Sequence, residues 1–234
     1  MTTRSLPFVL SVIAGATDII GVLGLDGLFT AHITGNLVLL AARIVVGRPA
    51  SVAYILSVPV LMLVLLAAGL MARTIERFGK SSIQPLLLLQ LLALAAFFSQ
   101  SVTEGPWRDP DAVLAITAGM CGVAAMAVQN ALAQIALKNA PSTAVMTTNV
   151  TRLMLDVGTV LVGREAPDVA NAKERALNTL PVAIGFAIGS AFGAAAEAAI
   201  GLWSLILPTV LALLACVIAM RHASDVRYMS YRRP

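Results

Sequence analysis

An aspartate, Asp18, stands inside an apolar run, and eighteen residues later Asn36 closes a polar cluster, His32-Ile33-Thr34-Gly35-Asn36, that opens a second apolar run. An ionisable group in such surroundings is costly, so Asp18 is a functional candidate by default: it would bind a cation, carry a proton or pair with a charged solute. The plainer reading is an ion pair or N–H acceptor that holds two helices together. Gly15, Asp18 and Gly21 recur at i, i+3 and i+6, which lets neighbouring backbone approach the carboxylate. Thr34 and Asn36 offer donors and acceptors and Gly35 loosens the backbone, so a broken or bent helix here would present carbonyls and amides to a ligand. The plainer reading of this motif is a helix cap before Leu37–Ala42. His32, with a reference pKa near neutrality, serves either as a proton carrier or as an interfacial hydrogen-bonder.

A weaker copy follows in AVQNALAQIALKNAPSTAVMTTNVTRLML. Asn130 stands there in the place of Asp18, and Thr147-Thr148-Asn149 in the place of Thr34-Gly35-Asn36. Asn149, Arg152 and Asp156 recur at i, i+3 and i+7 on one helix face. Arg152 is expected to pair with Asp156 within the helix or to reach Asp18 across the halves as a gate. Gln129 and Gln134 add amides that join helices. The candidate substrate- or ion-binding set is therefore Asp18, His32, Thr34, Gly35, Asn36, Asn130, Thr147, Asn149, Arg152 and Asp156.

The elements that must carry these residues are apolar helices. Of 234 residues, 59% are hydrophobic and 12% charged, with a mean hydropathy of +0.88. Soluble domains are about a quarter charged, so this is a membrane composition. Eight apolar segments stand out: Phe8–Leu25, Phe29–Gly47, Ser51–Ala72, Pro85–Ser99, Ala112–Ala136, Thr143–Gly163, Thr179–Ala199 and Leu202–Met220. Six are long enough to cross a bilayer of about 30 Å. The second and sixth begin with the polar motif and carry Arg43, or Arg152 and Asp156. The expectation is an all-α polytopic transmembrane helix bundle forming a single integral membrane domain. It has about eight helical segments, six clear spans plus two motif-bearing helices, in two internal repeats of four near 1–105 and 106–220. A basic tail, 221–234, follows.

Topology turns on the two motif-bearing segments. If all eight cross with the N-terminus inside, the inner side carries eleven Lys and Arg and the outer side four, leaving out Arg152; if segments two and six re-enter, the count is twelve against three. The two cannot be separated by charge, and the length of Thr143–Gly163 favours eight crossings. Both put the N- and C-termini in the cytoplasm of a bacterial inner membrane. Arg164–Leu177 is expected to be a cytoplasmic helical connection, and the N-terminal run an uncleaved first helix.

Gly185, Gly189 and Gly193 form GxxxGxxxG, a close-packing surface for a helix of the bundle or of a homodimer. Cys121 and Cys216 read as packing residues, and two histidines leave no spacing for a metal site. No P-loop, GxSxG or HExxH motif is present, so neither an enzyme nor a cofactor is expected. The net charge of +4 comes mostly from short connections and the tail, and suggests lipid headgroups rather than nucleic acid.

At DIIGVLGLDGLFTAHITGN the chain resembles the YoaK-like bacterial multipass membrane proteins, domain of unknown function 1275. Gly15, Asp18, Phe29, Thr34, Gly35 and Asn36 carry the pattern, and the turn departs slightly, reading Asp26-Gly27-Leu28-Phe29. The glycine-rich seventh segment is similar too. The resemblance covers nearly the whole chain and implies a polytopic inner-membrane protein, with no substrate or mechanism attached. Two functions follow. One is a small-molecule secondary transporter or permease with its polar site between the repeats, coupled to a proton or cation. The other is a non-transporting scaffold, assembly or lipid-binding protein in which the polar motifs only pin helices.

Overall fold

The computed structural model describes residues 5–104, 111–137, 141–163 and 166–231. Their regular structure is all helical, with no strand among them. The helices are α1 (Ser5–Gly24), α2 (Ile33–Val46), α3 (Val52–Arg77), α4 (Ile83–Glu104), α5 (Val113–Ala131), α6 (Met146–Val162), α7 (Ala166–Ile200) and α8 (Ile206–Tyr231). A π turn, Leu132–Ala136, prolongs α5, and a 3-10 turn, Gly201–Leu205, joins α7 to α8. Gly201 takes φ +59°, a left-handed conformation that suits glycine, and there the chain reverses. Counted by unbroken helical backbone there are seven helical runs among the described residues, the last containing α7 and α8 on either side of this reversal.

Five stretches are long and apolar enough to cross a bilayer: Ser5–Gly24, Val52–Arg77, Ile83–Thr103, Val113–Ala136 and Pro167–Met220. By length and composition this is a membrane protein. The last of these, 54 residues long, contains both α7 and α8 and reverses at Gly201, so the expected seventh and eighth segments fall within one continuous helical run. The fourth segment is longer than its apolar run suggested, since Ile83 to Glu104 is helical over 22 residues. The expected connection at Arg164–Leu177 is, within the described residues, the first turns of α7.

Helix packing follows the small residues. α1 and α7 run parallel in the closest pairing of the bundle. A Cβ on Gly189 would lie 2.2 Å from Val12 O, one on Gly193 2.9 Å from Ala16 Cα, and one on Gly15 2.3 Å from Phe186 O. The GxxxGxxxG stripe thus serves a helix of the same chain, and Ser11 Oγ adds a hydrogen bond to Val182 O. α3 and α5 also run parallel, from Val52 beside Asp111 to Gly69 beside Ile135. α4 packs on both α5 and α8, α1 packs on α8, and α2 and α6 pack on α3 and α7 respectively.

Neither α2 nor α6 is among the helices long and apolar enough to cross. α2 has 14 residues, about 21 Å of helix against the about 30 Å of a bilayer core. After Gly24 the chain turns at Asp26 (φ +52°) and Gly27 (φ +94°) and runs back along α1 until Thr30 and Ala31 meet Asp18. α2 then returns to the starting level, where Arg43 meets Asp26 and stacks on Tyr54 at the head of α3. The sixth segment does the same from the other end of the bundle. Thr143 lies beside Gln129 and Leu10, and α6 runs back from there until Asp156 meets Arg175. Part of Thr143–Gly163 is thus non-helical approach, and each motif-bearing segment starts and finishes at the same end of the bundle, a geometry that suits re-entry better than the eight crossings favoured by segment length.

Candidate functional site at the tips of two half-helices

Asp18 sits on the inward side of α1 and is 4% exposed. Its Oδ1 accepts the backbone N–H of Thr30 at 2.8 Å and of Ala31 at 2.7 Å, with Thr30 Oγ1 at 3.4 Å. Its Oδ2 faces His32 Nδ1 at 2.6 Å. Against an ionised carboxylate, which only accepts, Nδ1 is the donor, and Nε2 has no hydrogen-bond partner among the described residues. The His32 ring lies edge-on to Phe29 and Phe186, and its side chain is 37% exposed. The two residues were adjacent in the sequence reading without being joined; the returning loop joins them.

Asn36 is wholly buried one turn into α2. Its Oδ1 accepts from Phe29 N at 2.8 Å, and its Nδ2 donates to Phe29 O at 2.8 Å and to Ser57 Oγ at 3.0 Å. Gly35 lies under the Phe29 ring, where a Cβ would come within 3.0 Å of Cδ2. Thr34 points outward, away from both.

The second half repeats this arrangement without an ionisable group. Asn149 Nδ2 donates to Ser142 O at 2.5 Å, seven residues upstream, as Phe29 lies seven upstream of Asn36. Thr143, six residues before Asn149, corresponds to Thr30, six before Asn36. Its partner is Gln129, whose Nε2 donates to Thr143 Oγ1 and to Leu10 O at 2.8 Å each and whose Oε1 accepts from Gln90 Nε2 at 2.7 Å. The structural counterpart of Asp18 is thus Gln129. Asn130 is half-buried next to it, with no side-chain hydrogen bond among the described residues. The register differs because Gln129 precedes its threonine by fourteen residues and Asp18 by twelve, and the π turn takes up part of that extra length. Gln90 Oε1 is buried without a partner among the described residues.

Arg152 does not join the site. The bundle face of α6 is Asn149, Leu153 and Asp156. Arg152 sits about 60° round the helix from Asn149, at the edge of that face, and turns outward with Thr147 and Thr148. The expected Arg152–Asp156 pair is replaced by Arg175 of α7, whose Nη2 and Nε approach Asp156 Oδ1 at 2.6 and 3.0 Å. The alternative Arg152–Asp18 gate is also absent, since Asp18 is filled by the loop and His32. Seven residues after its asparagine, each half-helix therefore has one ion pair: Arg43 to Asp26, with Nη1 2.6 Å from Oδ2, and Asp156 to Arg175.

The loops enter from opposite ends of α1, at Asp18 and at Leu10. Eight residues, about 12 Å of helix, separate the two levels. A recess of about 620 Å³ lies at the Asp26 end, lined by Arg43, Arg48, Pro49 and Ser51, and Asp18 is not part of its wall. Among the described residues no group of three or more His, Cys, Asp or Glu could hold a metal ion.

Sequence reasoning missed Thr30, Ser57, Gln90, Thr143 and Arg175. One signal was available for two of them: Thr-Ala-x-x-Thr-x-Asn occurs at Thr30–Asn36 and again at Thr143–Asn149. A family model described as a protein of unknown function, DUF1275, matches residues 6–218. Neither the curated proteins nor the solved structures give a match.

Proposed function

The chain belongs to the DUF1275 family of proteins of unknown function, and from its site we propose a small-molecule secondary transporter or permease of the bacterial inner membrane. The observation that carries this reading is the pair of half-helices entering α1 from opposite ends, with the half-open His32–Asp18 pair at one tip. Broken helices whose ends meet near mid-membrane between internal repeats are a recurrent way to build a solute site. Asp18 is the carboxylate at that tip and Arg152 stands apart from it, so a proton or small cation is the coupling ion that fits. The repeats are about 1–105 and 106–220 and inverted. In support, exchanging α1 with α5, α2 with α6, α3 with α7 and α4 with α8 maps α1–α7 packing onto α5–α3, α4–α5 onto α8–α1 and α2–α3 onto α6–α7. Arg73, Arg77, Lys80, Lys173 and Arg175 share the end where α1 begins, which makes that end cytoplasmic, with both termini.

A second reading has its own support. Asn36, Asn149 and Gln129 are buried and hydrogen-bonded to the fold, as expected of pins in a scaffold or lipid-binding protein. Thermal unfolding against a panel of metabolites and ions, with wild type beside His32→Gln, separates the two. A compound that raises the melting temperature of wild type alone and is taken up by proteoliposomes supports the transporter. A panel without such a compound supports the scaffold.

A further inference from the structure

The two re-entrant loops are held by chemically different latches. The first is fixed by a carboxylate and an imidazole: Asp18 takes the N–H groups of Thr30 and Ala31, and His32 Nδ1 lies 2.6 Å from its second oxygen. The second is fixed by neutral groups alone, Gln129, Thr143 and Leu10 O, and Val145 stands where the first copy has His32. Thr30-Ala31 and Thr143-Ala144 are otherwise the same dipeptide in the same place. We propose that proton binding at His32 locks the first loop onto α1 and leaves the second loop indifferent to pH.

The sign follows from the atoms. With a neutral ring, Nδ1–H donates to the carboxylate and Nε2 is bare. A proton added at Nε2 of this part-exposed side chain makes the ring a cation against the carboxylate. Such a charge-assisted bond is roughly twice as strong as its neutral counterpart. The latch therefore tightens as His32 is protonated and eases as the proton leaves. The other titratable groups on the packed elements lie elsewhere: Asp26 of the turn is bound to Arg43, Tyr54 of α3 donates to Asp26 O, Arg73, Glu76 and Arg77 stand at the far end of α3, and α4 has only Glu104 in its last turn. α1 has no second titratable residue, α2 has only Arg43, which is bound to Asp26, and α5 has only Cys121. α8 as far as Met220 has only Cys216. On α7 the titratable groups are Asp168, Lys173, Glu174 and Arg175 at one end and Glu197 at the other, bound to Ser204.

Hydrogen exchange of the full chain in lipid nanodiscs tests this without reference to transport. After correction for intrinsic rates, amides in 28–33 exchange about tenfold more slowly near pH 5 than near pH 9, and those in 141–149 keep their protection; the factor is that of a bond roughly doubled in strength. His32→Gln, which can still donate to Asp18 but cannot become charged, makes 28–33 as insensitive to pH as 141–149. The proposal is overturned if 28–33 is insensitive in wild type, if both segments change by the same factor, or if His32→Gln keeps the pH dependence. A failed substrate screen leaves this result standing, and the reverse also holds.

Discussion

Asn36 holds both backbone groups of Phe29, accepting its N–H and donating to its carbonyl, each at 2.8 Å. One side chain thereby does for the loop what a strand partner would do, in a place where the backbone has no helix to satisfy it. Asn149 makes a single such bond to Ser142. The two copies of the motif are thus unequal in strength, and so are the effects of removing them.

Asn36→Ala leaves the N–H and carbonyl of Phe29 without their partner and frees Ser57 Oγ. A buried group left unsatisfied costs about 1–3 kcal/mol, so the loss is about 3 kcal/mol or more, against about 1–2 kcal/mol for Asn149→Ala. Equilibrium unfolding in mild detergent measures both. Equal losses would contradict the hydrogen-bond pattern.

Gly189→Ala sets a methyl group against Val12 O, which is backbone and has nowhere to go. Overpacking of this kind costs about 1–3 kcal/mol. Gly158→Ala on α6 is the control, because a Cβ there meets nothing within 4 Å, and replacing a helical glycine gains about 0.5–1 kcal/mol. Melting temperatures should move in opposite directions for the two variants.

Arg175→Gln strands a buried Asp156, whereas Arg152→Gln removes a cation with no ion-pair partner among the described residues. Arg175 is 60% exposed, so solvent screens its pair with Asp156. A double-mutant cycle of Arg175→Gln with Asp156→Asn should return a small favourable coupling. The same cycle with Arg152→Gln should return about zero.

Composition and apolar run length were enough to read an all-helical membrane fold from the sequence, because a bilayer imposes both on every crossing helix. The intramembrane polar residues were legible as a set, and Asp18, His32 and Asn36 do come together. Their partners were not, because the loop that delivers Thr30 and Ala31 to Asp18 is folded back by two positive φ angles at Asp26 and Gly27. Nothing in hydropathy encodes that reversal. Arg152 was misassigned for a related reason: i+4 spacing allowed it to face Asp156, but α7 brings Arg175 to the same carboxylate. Gln129 was passed over for Asn130 because alignment by distance from the motif ignores the π turn between them.

Re-entry of α2 from the end opposite the N-terminus underlies the proposed inverted repeats, the two latches and the proposed assignment of faces. It is tested by labelling two single-cysteine variants, Arg48→Cys and Lys80→Cys, in intact cells with a membrane-impermeant thiol reagent. Both positions are exposed. Re-entry predicts that Arg48→Cys is labelled from outside and Lys80→Cys only after the membrane is opened. Eight crossings require the reverse, with Lys80→Cys labelled in intact cells and Arg48→Cys protected, and that result would contradict the account.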